Sequence, residues 1–317
     1  LFFKQKPTLM PKMNVNKSIL IDATPAKIFP IINDLNNWEQ WSPWTLAEPT
    51  AIINVAKDGK YHDWEGDIIG SGNLKITSEV ENQSVVMNLQ FLKPWKSKAI
   101  TKFHLKKTKK GTLVQWTMES SLPFFLFWMK KQMEIFVGMD YDRGLALLKD
   151  LVETGKTNSN LEFKGLKTFH ATKFIGIKTS CAFSAIAENM ERDFGELMPY
   201  LMQNHQDKIS GNGISIYHDM NVVLDKIVYT AGHPVSEVPE DLPAQYYVGE
   251  LPKFSAYTIR HTGPYHHIGN AWAAGMMHQR AKKFKPSRKL SPMEIMYNSP
   301  MNTPPNELIS EILFPVK

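Results

Sequence analysis

Two short stretches, GISIYHD at 213–219 and MEIMYNS at 293–299, decide the fold of the second half of this chain. Each follows a stretch with helical spacing, and each precedes an apolar run that finishes in a proline, Pro234 or Pro315. Upstream of the first, residues 171–180 read as a strand. Residues 184–204 then read as a helix, with Ile186, Met190, Phe194, Leu197 and Leu201 one helical face apart. Upstream of the second, 254–261 read as a strand and 265–283 as a helix. The pattern is a duplicated βαββ unit, whose period of roughly 80 residues is too long for a solenoid. Two half-sheets and two helices arranged in this way are expected to bury a cavity between the repeats.

Outward towards the N-terminus, residues 154–168 (TGKTNSNLEFKGLKT) are polar and contain glycine, and they are expected to be a linker. Before them the period is again mixed. A strand at 17–22 runs into a helix whose cap and first turn are Thr24 and Pro25, with Ile28, Phe29, Ile31, Ile32 and Leu35 as its apolar face. Turn signals at Asp58-Gly59, Gly70-Ser71-Gly72, Glu81-Asn82 and Lys110-Gly111 separate runs of strand periodicity. The clearest run sets Val114, Trp116 and Met118 against Gln115, Thr117 and Glu119. One long helix is expected at 128–153, its apolar side including Met133, Phe136, Val137, Leu145 and Leu148. The fold class is therefore α+β. An antiparallel sheet with a long C-terminal helix occupies 17–153, and the duplicated βαββ domain occupies 169–317.

With 317 residues, 43% of them apolar and 21% charged, the chain has enough material for two cores, and a disordered or fibrous reading is excluded. Its longest apolar run, 122–129, is too short to span a bilayer. The single cysteine, Cys181, permits neither an internal disulfide nor a thiolate metal cage. The net charge of +6 is spread thinly, so nucleic acid is not an expected partner. Leu1, Phe2 and Phe3 stand ahead of a basic, proline-containing stretch at 4–17, which together form an N-terminal tail over 1–16. They read either as the end of a removed membrane-spanning or signal segment or as the edge of a fragment.

Two family resemblances follow from these elements. KSILIDATPAKIFPIINDLNNWEQWSPW, DWEGDIIGSGNLKI and GTLVQWTMES, with the long helix after them, resemble the START-like superfamily of polyketide cyclases and lipid-transfer proteins (SRPBCC). That resemblance implies a helix-grip fold, a curved sheet holding the helix around a hydrophobic tunnel. RHTGPYHHIGNAW and MEIMYNSP resemble the GyrI-like effector-binding domain of AraC-type and MerR-type regulators. It implies a cleft-facing glutamate that meets cationic or polar ligands, and Glu294 holds that place. The tyrosine usual two residues later is Met296 here, with Tyr297 beside it. The pairing of the two families further implies an N-terminal membrane anchor; the positive-inside rule would then place both domains outside the cytoplasm if the segment ahead of Leu1 is basic, the alternative being a cytoplasmic protein.

The expected ligand-binding residues are Glu294, Trp272, Tyr217, Tyr265 and Tyr297 in the second domain and Trp41, Trp44, Trp64 and Trp116 in the first. Aromatic rings near a cavity supply apolar area with a polar handle, although each also fits an ordinary core. No GxSxG elbow, HExxH helix or Walker loop is present. His261, His266 and His267 have no carboxylate at ligand spacing, so neither metal nor cofactor is expected. The leading expectation is binding of a small, largely hydrophobic or cationic molecule in each domain, without catalysis. The alternative is a GyrI-like hydrolase acting on reactive small molecules with Glu294 as general base. A third reading is a regulatory module whose ligand state is read by another protein, since neither domain has an output of its own; which protein that is stays unknown.

Overall fold

The computed structural model describes residues 12–122 and 124–317, so Leu1, Phe2 and Phe3 lie outside the described residues. The chain divides into two compact units between Asn158 and Ser159. Among the described residues no helix is long and apolar enough to cross a membrane.

The first unit runs β1 (Lys12–Ile21), α1 (Pro25–Asn33), α2 (Pro43–Ala47), β2 (Ile52–Val55), β3 (Tyr61–Gly66), β4 (Gly70–Val80), β5 (Ser84–Lys93), β6 (Ser97–Thr108), β7 (Gly111–Ser121) and α3 (Lys130–Thr154). Its seven strands form one antiparallel sheet in the order β1-β7-β6-β5-β4-β3-β2. Each strand pairs with its neighbour in sequence except β1, which returns to close against β7. Strand β1 begins at Lys12, inside the segment expected to be tail, because Met13 and Val15 continue its inward alternation. Helix α3 starts at Lys130, and Gly155 ends it in the left-handed conformation that a helix terminus favours. Phe136, expected on its apolar face, is exposed.

The inward residues of β7 are Val114, Trp116 and Met118, as the alternation requires. Trp116 stacks on Tyr141 of α3 with ring centres 3.8 Å apart and on Phe103 of β6 at 4.7 Å. Its indole N–H donates to the Thr101 hydroxyl at 2.8 Å, and that hydroxyl lies 3.0 Å from the Tyr141 hydroxyl. Burial raises the Tyr141 hydroxyl far above the ordinary tyrosine range. Trp38 and Trp41 meet the same group edge-on. Five aromatic side chains thus pack together between sheet and helix, where the tunnel was expected.

The second unit runs β8 (Asn160–Phe169), β9 (Thr172–Cys181), α4 (Ile186–Asn204), β10 (Gly213–Asn221), β11 (Lys226–Val235), β12 (Tyr247–Leu251), β13 (Phe254–Thr262), α5 (Gly269–Arg280), β14 (Met293–Met296) and β15 (Ile309–Pro315). The sheet order is β12-β9-β11-β10-β14-β15-β13-β8, so the two repeats meet at the central pair β10 and β14. Two strands were not expected. Most of the segment 154–168 is not a linker but β8, which pairs with β13 of the second repeat. Strand β12, at the start of the second repeat, pairs with β9 of the first. The architecture is thus a reciprocal exchange of outer strands between two ββαββ modules. β8 is an edge strand whose outward positions Glu162, Lys164 and Thr168 are polar while Leu166 is exposed among them, and its partner β13 lies far along the chain.

Candidate functional site

Glu294 lies on β14, opposite Ser215 of β10 on one side and Ile312 of β15 on the other. Only 5% of it is exposed. Cross-strand partners point to one face of a sheet, so Ser215, Glu294 and Ile312 share a face, and Tyr217 lies two residues further along β10 on the same face. Helix α5 covers this face. Trp272 of that helix donates its indole N–H to Glu294 Oε1. The Tyr217 hydroxyl, which lies 3.9 Å from Met190 Sδ, also stands near enough to the carboxylate to favour its charged form.

The helix reaches this depth because Gly275, one turn beyond Trp272, carries no side chain. A Cβ there would stand 2.0 Å from the Phe314 ring. Trp272 is then fixed edge-on to Tyr217 at 4.8 Å and to Phe314 at 5.5 Å. Tyr265, in the 3-10 turn Tyr265–His267 ahead of the helix, is close enough that the charge of Glu294 adds to burial in raising its hydroxyl.

The electrostatics follow from desolvation. Burial raises the Glu294 carboxyl to about 7, and the Trp272 hydrogen bond and the nearby Tyr217 hydroxyl oppose that shift without cancelling it. Among the described residues no cation offsets it. Burial also pushes the Tyr217 hydroxyl well above its ordinary range, with the charge of Glu294 next in weight. The result is an acid, flanked by two aromatic donors, whose charged form lacks a counter-ion.

The structure brings together Glu294, Trp272, Tyr217 and Tyr265, and it separates Tyr297 from them. Tyr297 follows the opposite side of β14. Its hydroxyl donates to Glu311 at 3.0 Å, and the Arg260 guanidinium stands over its ring at 5.3 Å. Aligning GISIYHD with MEIMYNS is accordingly out by one residue. The counterpart of Glu294 in the first repeat is Ser215, and the counterpart of Met296 is Tyr217. The tyrosine missing after Glu294 is thus supplied from the other repeat. Ser215 was not anticipated; it is fully buried, and its hydroxyl has no partner among the described residues.

In the first unit Trp41 and Trp116 are each 1% exposed and belong to the buried aromatic cluster. Trp44 donates its indole N–H to Asp140 at 3.3 Å, and Trp64 lies edge-on to Phe91. Two open depressions occur away from all these residues. One, of about 310 Å³, lies along β1 and α3 near Asn16 and Met139, and the other, of about 370 Å³, lies near Thr172 and Ser236.

Residues 12–153 match the family model described as polyketide cyclase / dehydrase and lipid transport, and residues 166–317 match that of the GyrI-like small molecule binding domain. The chain joins these two families in one polypeptide. No curated protein matches it significantly. Solved structures similar to it include the EcmrR–DNA complex, at 17% identity and TM-score 0.40, covering 60% of this chain and 69% of that one. SAV2435 bound to tetraphenylphosphonium is 16% identical with TM-score 0.40, covering 49% of this chain and 94% of that one. The Aha1 dimer from Colwellia psychrerythraea is 21% identical with TM-score 0.33, covering 45% and 98%. The Glu294 cluster lies within the segment that matches the GyrI-like small molecule binding model.

Proposed function

We propose that the GyrI-like domain binds a small lipophilic cation, with Glu294 as its counter-ion and Trp272, Tyr217 and Tyr265 as aromatic walls, and performs no chemistry on it. The observation that carries this reading is a buried carboxylate whose polar neighbours are a tryptophan and a tyrosine instead of a lysine or arginine. An unpaired carboxylate in such a site is costly, and a desolvated cation arriving there removes the cost while the rings add cation–π attraction. Trp272 occupies the space a guest would take, so the reading requires the indole to swing aside and surrender its hydrogen bond. No ligand is proposed for the cyclase-like domain, where the buried aromatic side chains present no charged group to a guest.

Calorimetric titration with tetraphenylphosphonium as probe tests the reading. Because the carboxyl titrates near 7, lowering the pH from 8 to 5.5 is expected to weaken binding roughly thirtyfold by withdrawing the charged form. Glu294→Gln is expected to remove binding at both values. Equal affinity of wild type and Glu294→Gln would overturn the proposal.

One observation favours hydrolysis as a second reading: a carboxyl that titrates near 7 is poised to accept a proton at neutral pH. Turnover of activated esters or epoxides, abolished by Glu294→Gln in a folded protein, would select the hydrolase. Stoichiometric binding with no turnover selects the binder.

A further inference from the structure

The end of the first unit's sheet where β5 turns into β6 is apolar and cationic at once. The turn lies within LKPWKSK at 92–98. Leu92 is 40% exposed and Trp95 48%, while Lys96 and Lys98 project into solvent beside them. Strand β7 ends at the same place: Ala99 pairs with Ser120, and the Ser120 hydroxyl donates to the Lys98 carbonyl at 2.8 Å. Just beyond β7, the 3-10 turn Phe124–Met129 exposes Phe127 by 58% and Trp128 by 66%. Two segments at this end of the sheet thus each expose about half or more of an indole.

The charge here has one sign to spare. Lys93 is paired with Glu65, and Lys130 with Glu134. Lys96, Lys98 and Lys131 form no ion pair among the described residues. Indoles favour the boundary between water and hydrocarbon, and long lysine side chains reach from there to phosphates. A second copy of the same surface would set these lysines against one another, which like-charge repulsion disfavours.

We infer that this end of the first unit docks on an anionic lipid surface. Trp95 and Trp128 enter the headgroup layer, and Lys96, Lys98 and Lys131 lie against lipid phosphates. The inference is independent of the Glu294 site.

Co-sedimentation of the full 317-residue chain with vesicles of pure phosphatidylcholine, or of phosphatidylcholine with 30% phosphatidylglycerol (about one lipid in three, a typical anionic content), tests it. Binding is expected on the anionic vesicles alone, and it should fall steeply at about 1 M salt, where charges are screened within about 3 Å. Lys96→Glu with Lys98→Glu should weaken it roughly 25-fold or more, at about fivefold per lysine removed. Trp95→Ala with Trp128→Ala should weaken it at least tenfold, and both variants should keep the wild-type circular dichroism because the altered groups are exposed. Lys106→Glu with Lys107→Glu, an equal charge change at the far end of β6, should bind as wild type does. Absence of wild-type binding, or equal loss in the far-end control, would overturn the inference. A wild-type dimer that the tryptophan variant dissociates, with no vesicle binding by either, would overturn it in favour of self-association.

Discussion

Glu294 links the stability of the second unit to pH in an unusual direction for a carboxylate. An ordinary glutamate titrates near 4.5, and this one near 7, so the folded state holds the proton more tightly than the unfolded chain does. Its contribution is complete below about 4.5 and is lost as pH rises through 7, a difference of roughly 3 kcal/mol at 1.36 kcal/mol per unit. Urea unfolding at pH 5 and pH 8 should show this loss in the wild type, and Glu294→Gln should lack it; the same pH dependence in both would mean that the carboxyl is not desolvated as described. Trp116 makes the complementary point for the first unit. Trp116→Ala should cost about 3–5 kcal/mol, because it deletes two ring stacks and the hydrogen bond to Thr101. An unfolding free energy from urea titration lowered by less than about 1 kcal/mol would argue for an interior that tolerates space. The inward alternation of Trp116 was plain in the sequence. That its ring fills the interior was not, because a hollow and a filled barrel wall share the same period of two.

At the level of elements, α5 is held at its depth by one absent side chain. Gly275→Ala would ordinarily favour a helix, but here the added methyl meets the Phe314 ring at 2.0 Å. The expected outcome is a net loss of about 1–3 kcal/mol from overpacking, together with weaker binding of the cationic probe as Trp272 is displaced. A thermal midpoint raised by the substitution would show that the helix has room to move. The central elements of each repeat were legible from periodicity. Their register was not, since the matching of Tyr217 with Tyr297 by eye put both on one side, and a shift of one residue along a strand reverses every side chain. Ser215 opposite Glu294 puts Tyr217 on the face of the carboxylate and Tyr297 on the other. Strands β8 and β12 were not legible because each lies at a sheet edge and pairs across the repeats, β8 with β13 and β12 with β9, so no local pattern marks its partner.

For the molecule as a whole, the division between Asn158 and Ser159 has a direct consequence for dissection. A fragment beginning at 159 retains β8 and should fold with a cooperative thermal transition. One beginning at 169, where the polar composition first placed the boundary, leaves the edge of β13 unpaired and should aggregate or melt without a transition. Equivalent melting curves for the two fragments would show β8 to be dispensable. The exchange of outer strands also bears on why the repeats share one chain. Were the halves to associate as separate, identical copies, the position on the dyad would always be occupied twice by the same residue: two acids repelling each other, or two hydroxyls with no charge to offer. Tethering two unlike halves is what lets a symmetric scaffold carry an asymmetric centre, with a single acid and a tyrosine lent to it from across the axis.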